Sequence, residues 1–350
     1  MRMFQVCICG EPLKLNEQPT PVPKGSEVLL KVLAAGVCHS DLHLADGYFD
    51  LGGGKRMSLE DRGMKLPVTL GHENVGEVVA VGPDVKGVTI GQRMLADPWI
   101  GCGKCAACQR NEDNLCMAMR SLGVFSNGGY ADYVLVPHPR YLIDYAPLSA
   151  AFAGTLMCSG LTAYAALKRL IPLATRGPVL LVGLGGVGMM GLSLARTMLT
   201  EPPLVADIDA GKRAAALTAG AAAAFDPADP GARKAIMTKT GGLFAVCDFV
   251  GSERSLQFAT SVLTRGGRVV VTGLLGGAFT TPVAMFALKA MTIEGVLTGT
   301  LAEAREVVAL ARTGKVTALP IAERPLAAAQ SAFDDLRAGR VIGRVVLTAD

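Results

Sequence analysis

The sequence predicts an α/β protein of two domains, one β-rich and one doubly wound around a parallel sheet. Three observations predict it. The chain has 350 residues, and an ordinary domain has roughly 150. From residue 1 to about 150, short apolar runs alternate with Gly, Pro and Asp. From about 159 to 298, strand-like runs alternate with Ala-rich helical stretches, and that alternation builds a parallel sheet with helices on both faces.

In the first region Glu27–Ala34, Val75–Val81 and Tyr130–Val136 read as strands. The connection Gly52–Gly63 is charged and Gly-rich, so it reads as a surface loop, with Ser58 and Asp61 suited to a short capping box. Loops of that length usually do something, and a cleft rim or a subunit contact is the expectation. In the second region the strand-like runs are 179–183, 204–209, 245–251, 268–274 and 292–297, with helix patterns at Lys212–Ala219 and Leu256–Leu263. Beyond about 299 come a helical stretch and a final strand-like RVVLT. The tail is expected to return to the first domain, which makes 159–298 an insertion.

Composition removes several classes. Charged residues are 18% and hydrophobic residues 50% of the chain, a globular balance. The net charge of +4, with no Lys/Arg block, gives no nucleic-acid or membrane-surface footprint. Mean hydropathy is +0.38. The longest apolar run, Val179–Ala195, holds five glycines and suits a buried strand entering a helix better than a membrane span. No secretory signal is visible, so a reducing cytoplasm is expected, where nine cysteines read as metal ligands and buried thiols.

Cys102, Cys105, Cys108 and Cys116 are spaced C-x2-C-x2-C-x7-C in a polar segment. Four thiolates so close suit a closed tetrahedral zinc that organises the lobe, with an iron–sulfur cluster as the rival. A basic, aromatic face for nucleic acid is missing from ACQRNEDNLC. Cys38, His72 and Cys158 lie far apart, each in a Gly-bearing segment. Together they can supply three zinc ligands and leave a fourth position for water or substrate, with Asp41 and Glu73 beside them as carboxylate partners. Cys7, Cys9 and Cys247 sit in apolar runs and read as core.

Gly183, Gly185, Gly186 and Gly188 form G-x-G-x-x-G after an apolar strand and before an apolar helix, and Asp207 follows nineteen residues past Gly188. That context is a dinucleotide fingerprint. The glycines let the backbone approach a pyrophosphate, and the helix N-terminus supplies N–H donors. Asp207 would accept the ribose hydroxyls and repel a 2′-phosphate, which favours NAD over NADP.

With GVCHSDLH, GHENVGEVVAVG, the four-cysteine lobe, MCSGLTAY, GLGGVG and ADID in hand, the sequence resembles the zinc-dependent alcohol dehydrogenases of the medium-chain dehydrogenase/reductase superfamily over essentially its whole length. The resemblance implies a β-rich GroES-like catalytic domain over 1–158 and 299–350, with a structural zinc lobe at about 97–118. It also implies a Rossmann domain over 159–298 with a six-stranded parallel sheet, and an active site in the cleft between the two. It implies NAD and two zinc ions per chain, one catalytic on Cys38, His72 and Cys158 and one structural. By position Ser40 and His43 match a proton relay, Asp41 the carboxylate orienting His72, and Glu73 the one behind the zinc. His39 and Arg344 match phosphate contacts, Thr162 and Val187 contacts to the nicotinamide, and Lys212 joins Asp207 at the ribose. Phe49 and Trp99 match substrate-pocket positions. The implied reaction is hydride transfer between a primary or secondary alcohol, aliphatic or aromatic, and NAD. The implied partner is a small-molecule alcohol or carbonyl, in a homo-oligomer, a tetramer before a dimer. The alternatives are a polyol or sugar dehydrogenase of the same superfamily, which often uses a carboxylate in place of the third ligand, and an NADH-binding module without turnover.

Overall fold

Val28–Val37 is apolar almost throughout because it is paired along its length and mostly buried, with Lys31 its one exposed residue. In a computed structural model, which describes residues 1–317 and 319–349, it pairs antiparallel with Glu73–Val81, with Arg344–Thr348 and with Tyr133–Val136. The sheet runs in the order Leu142–Asp144, Arg93–Ala96, Glu73–Val81, Val28–Val37, Arg344–Thr348, Ile321–Pro325. Only the last pair is parallel. The C-terminal strand thus lies against a strand from the start of the chain. A second, three-stranded sheet joins Lys14–Glu17, Arg2–Val6 and Val68–Thr69.

The other unit is an open sheet of six parallel strands. Their order is Ala223–Phe225, Leu204–Ala206, Val179–Val182, Leu243–Asp248, Leu263–Val271, Thr292–Gly295. Val179–Val182 sits where the order reverses, and its four residues are all buried, as a strand covered on both faces requires. Leu180, Val182, Leu204, Val246, Val262 and Val269 form the centre of its core. The apolar runs of the sequence mark five of these strands. The sixth, Ala223–Phe225, is Ala-rich with weak intrinsic strand preference, and its pairing with Leu204–Ala206 makes it a strand.

The first unit comprises Met1–Tyr48, Met57–Cys158 and Gly299–Asp350, and the second Phe49–Arg56 and Ser159–Thr298. The small segment Phe49–Arg56 departs from the expected boundary. The Gly52–Gly63 stretch is likewise no simple loop: Tyr48–Gly52 and Lys55–Ser58 form a hairpin. Gly53 and Gly54 turn it with φ of +60° and +77°, left-handed values that glycine adopts without strain. Any side chain at Gly52 would strike the backbone of Gly277 and Ala278, which is why this segment packs with the second unit. The Asp61 N–H donates to Ser58 Oγ at 3.2 Å, as a cap would. The helical run Ala150–Ala174 is long and apolar enough to cross a membrane, yet 89% of its most apolar window is buried within the protein, so core packing accounts for its composition.

Candidate metal centre and dinucleotide site

Cys38 stands where Val28–Val37 ends and the helix His39–Asp46 begins. A helix N-terminus favours a thiolate. Asp41 closes that first turn by accepting the Cys38 N–H at 2.9 Å on Oδ2. His72 follows Gly71, whose φ of +92° and close approach to the Tyr130 ring exclude a side chain. Cys158 lies in a π-helical turn, Leu156–Gly160, between the helices Ala150–Thr155 and Leu161–Ala174. Such widened turns re-aim side chains at functional sites.

These three segments converge. The ligand atoms of Cys38, His72, Glu73 and Cys158 all lie within 4.8 Å of one another, and all four residues are buried. The two Sγ atoms are 3.6 Å apart. A zinc ion with Zn–S bonds of about 2.3 Å spaces tetrahedral sulfurs about 3.8 Å apart. His72 Nδ1 bonds Asp41 Oδ1 at 3.0 Å, while Nε2 is buried without a partner among the described residues. An imidazole nitrogen buried beside two thiols without a geometric hydrogen-bond partner fits a divalent metal, since a buried unpaired polar atom costs about 1–3 kcal/mol. The hydrogen bond between the thiols lowers Cys38 well below its usual range and raises Cys158 well above it. Burial opposes the charged form of His72, but Asp41 outweighs it and holds the imidazole above its ordinary value.

The supporting shell contains a residue that sequence reasoning missed. The Tyr130 hydroxyl is fully buried and donates to Asp41 Oδ2 at 2.7 Å, with the Gly36 carbonyl at 3.2 Å. Asp41 therefore serves the helix start, Tyr130 and His72 at once. No local motif marks Tyr130; only the fold brings it there. Trp99 Nε1 donates to the Met157 carbonyl at 2.9 Å, and its ring lies 5.6 Å from that of His72 at 54°. It touches one metal-set residue and holds the backbone next to another.

Arg344, matched by the resemblance to a phosphate contact, is 4% exposed, and its Nη2 donates to both carboxylate oxygens of Glu73. Burial pushes Glu73 up to about 7 and the Arg344 guanidinium opposes it. Glu73 in turn holds the arginine charged against its own desolvation. On the helix His39–Asp46, Ser40 and His43 are three residues apart and share a face. Burial, then the neighbouring His39, lowers His43. Phe49 groups with the second unit, as do Thr162, buried in Leu161–Ala174, and Val187, in the first turn of Gly186–Met198.

The four-cysteine set is equally close: Cys105 Sγ lies 3.5 Å from Cys108 Sγ and 3.7 Å from Cys116 Sγ, and all four ligand atoms fall within 4.8 Å of one another. Sulfurs at that spacing share one ion. An iron–sulfur cluster would interpose several metals and sulfides and spread them, so the zinc reading fits. Backbone N–H groups point at the sulfurs, with Cys102 N and Ala118 N at 3.3 and 3.4 Å from Cys116 Sγ. N–H donation from Lys104 lowers Cys102 to about 6, whereas burial raises Cys108 to about 12.

The glycine loop divides its labour by position. Gly183 turns with a φ of +90°. Around Gly185 nothing lies within 4 Å of where a Cβ would stand, leaving backbone open to a ligand. A Cβ on Gly188 would run into the Gly183 carbonyl, so this glycine lets helix and strand close up. These are the three duties of a pyrophosphate-binding turn. Asp207 lies beside it: Leu184 N–H donates to Oδ2 at 2.6 Å and Asp209 N–H to Oδ1 at 2.8 Å. Lys212 donates its backbone N–H to Asp209 in the helix Ala210–Thr218.

Residues 24–146 match the family model of the alcohol dehydrogenase GroES-like domain, and residues 186–313 that of the zinc-binding dehydrogenases. A protein of Sulfurisphaera tokodaii named NAD-dependent alcohol dehydrogenase is 37% identical over 99% of both chains. A protein of Saccharolobus solfataricus named D-arabinose 1-dehydrogenase (NADP(+)) is 30% identical over 97% of this chain and 95% of its own. The solved alcohol dehydrogenase of Aeropyrum pernix superposes with a TM-score of 0.88 at 30% identity, covering 99% of this chain and all of that one.

Proposed function

The chain belongs to the zinc-dependent alcohol dehydrogenases of the medium-chain dehydrogenase/reductase superfamily, and from that premise we propose how its residues divide the work of NAD-dependent alcohol oxidation. The protein is an oxidoreductase of alcohols with NAD and takes two zinc ions. When bound, zinc makes an alcohol more acidic and NAD accepts the hydride. Cys38, His72 and Cys158 hold the catalytic ion, and two thiolates with a neutral imidazole leave the site formally uncharged. Asp41 fixes the His72 tautomer so that Nε2 faces the metal. Ser40 takes the proton from the alcohol hydroxyl and His43 passes it on. A lowered pKa suits this, because His43 is then neutral and able to accept at neutral pH. Trp99 walls the substrate side and keeps water from the metal. Gly183, Gly185, Gly186 and Gly188 cradle the pyrophosphate, and Asp207 with Lys212 takes the adenosine ribose. His39 remains the residue assigned to a phosphate, and Thr162, Val187 and Phe49 keep the nicotinamide and substrate roles of the resemblance. The apolar character of Trp99 and Phe49 favours aliphatic and aromatic alcohols. The resemblance further assigns a cytoplasmic homotetramer, with a dimer as runner-up.

One observation carries the reading: the unpartnered Nε2 of His72 beside two thiols. Metal counting with an alcohol panel at fixed NAD tests it. Two zinc ions per chain and turnover of primary, secondary or aromatic alcohols are expected. Arabinose and polyols belong in the panel, because a carboxylate, Glu73, stands within the ligand set. Tight NADH binding with no turnover of any compound would sink the enzymatic reading.

A further inference from the structure

The pair Arg213–Asp226 has no part in the reading above. Leu204–Ala206 and Ala223–Phe225 run parallel with Ala206 opposite Phe225, so Asp207 and Asp226 emerge side by side at the carboxyl ends of neighbouring strands. The Asp207 N–H donates to the Phe225 carbonyl at 3.2 Å. Arg213 enters between them from the helix Ala210–Thr218. Its Nη1 donates to the Asp207 carbonyl at 2.7 Å and to Asp226 Oδ2 at 3.1 Å. The arginine side chain is 21% exposed and the aspartate 32%, so both reach solvent without being free in it. A guanidinium therefore already stands at the ribose end of the dinucleotide site. That is the group which accommodates a 2′-phosphate in NADP sites.

We propose that Asp226 is a second coenzyme-selecting residue: by pairing with Arg213 it denies a 2′-phosphate the cation the fold has placed beside the ribose. This rests on the reading that Asp207 takes the adenosine ribose. The two carboxylates exclude the phosphate by different means. Asp207 repels it directly. Asp226 acts through Arg213, whose charge and hydrogen-bonding edge it occupies, so it is a positioning residue and touches no nucleotide. Removing Asp207 alone leaves the guanidinium engaged. Removing the charge of Asp226 leaves Arg213 bonded to the Asp207 backbone carbonyl, and a dianion competes well for such a group.

The test titrates NADH and NADPH, read by nicotinamide fluorescence, into the zinc-loaded full chain. The variants are Asp226→Asn, Asp207→Ser, the two combined, and the combination with Arg213→Gln added. Asparagine keeps an oxygen for the Ala228 N–H that Asp226 Oδ1 accepts at 2.9 Å, so the turn is preserved. The ratio of NADPH to NADH affinity should rise about tenfold with Asp226→Asn on the Asp207→Ser background, the effect of one charge-assisted hydrogen bond. Arg213→Gln should cancel that gain. A ratio that Asp226→Asn leaves unchanged, or a gain that survives Arg213→Gln, overturns the proposal while leaving the Asp207 reading intact. No NADH binding by the parent chain, or no change of the ratio with Asp207→Ser, overturns the ribose reading and this proposal with it.

Discussion

The two metal sets use similar ligands and differ in almost everything around them. Cys102, Cys105, Cys108 and Cys116 come from one short segment, two of them are partly exposed, and their outer partners are backbone N–H groups. Cys38, His72 and Cys158 come from three distant segments, all are buried, and their outer partners are side chains: Asp41, Tyr130 and Trp99. A local loop can gather thiolates with its own amides and needs little else. A site that must keep a fourth position for substrate needs each ligand aimed separately, and long-range side-chain contacts do the aiming. The first arrangement suits holding a lobe together and the second suits chemistry.

The largest expected effect breaks the comparison at its centre. His72→Ala should lose one of two zinc ions and lower kcat/KM at least about a thousandfold, because transition-state charge stabilisation is lost with the ion. NADH should still bind. Cys105→Ser should lose the other ion and melt at lower temperature, since metal affinity at such a site is folding free energy. Turnover per folded molecule should persist below that melting point. If circular dichroism shows Cys105→Ser folded and it is as inactive as His72→Ala, the division into structural and catalytic sets is wrong. A smaller effect sharpens the comparison. Tyr130→Phe removes one hydrogen bond from Asp41 and should weaken the catalytic ion about tenfold or more, the usual size for an outer partner of a metal ligand. A chelator should then strip one zinc faster and the other at its former rate. Faster loss of both would mean general loosening instead.

Legibility in the sequence followed the same divide. The four-cysteine set and the glycine loop are local, so spacing and flanking sequence state much of their chemistry, and the sulfur distances then favour zinc over an iron–sulfur cluster. Cys38, His72 and Cys158 are legible through the resemblance, yet nothing near Cys158 announces the π turn that aims it, because helix patterning does not register one extra residue per turn. Tyr130 was illegible for a related reason: its partner lies 89 residues away. The pairing of Arg344 with Glu73 was illegible likewise, because 271 residues separate the two and only the fold brings them together. In the fold, apolar runs marked the central strands. They missed the edge strand Ala223–Phe225 and the hairpin at Tyr48–Ser58, where neighbours and glycine turns decide the structure.

The smallest prediction concerns the segment that joins the two sets. Asp97 is 1% exposed, two residues before Trp99 and five before Cys102. Its backbone N–H donates to the Tyr141 carbonyl at 2.8 Å, and Oδ1 accepts the Trp99 N–H at 3.3 Å. Burial, reinforced by the like charge of Asp113, raises its carboxyl to about 7, against the pull of that hydrogen bond. An aspartate in the unfolded chain titrates near 3.9. The folded state therefore prefers the protonated form, and the stability it confers is complete below about pH 4 and lost as pH rises toward 7. Asp97→Asn keeps an acceptor for Trp99 and removes the charge. Its advantage over the parent should grow by roughly 2–3 kcal/mol between pH 5 and pH 8, seen as melting temperatures that diverge with pH. Melting curves that stay parallel across that range would show that Asp97 does not titrate there. The Asp97–Cys102 segment would then tie Trp99 to the cysteine lobe through its backbone alone.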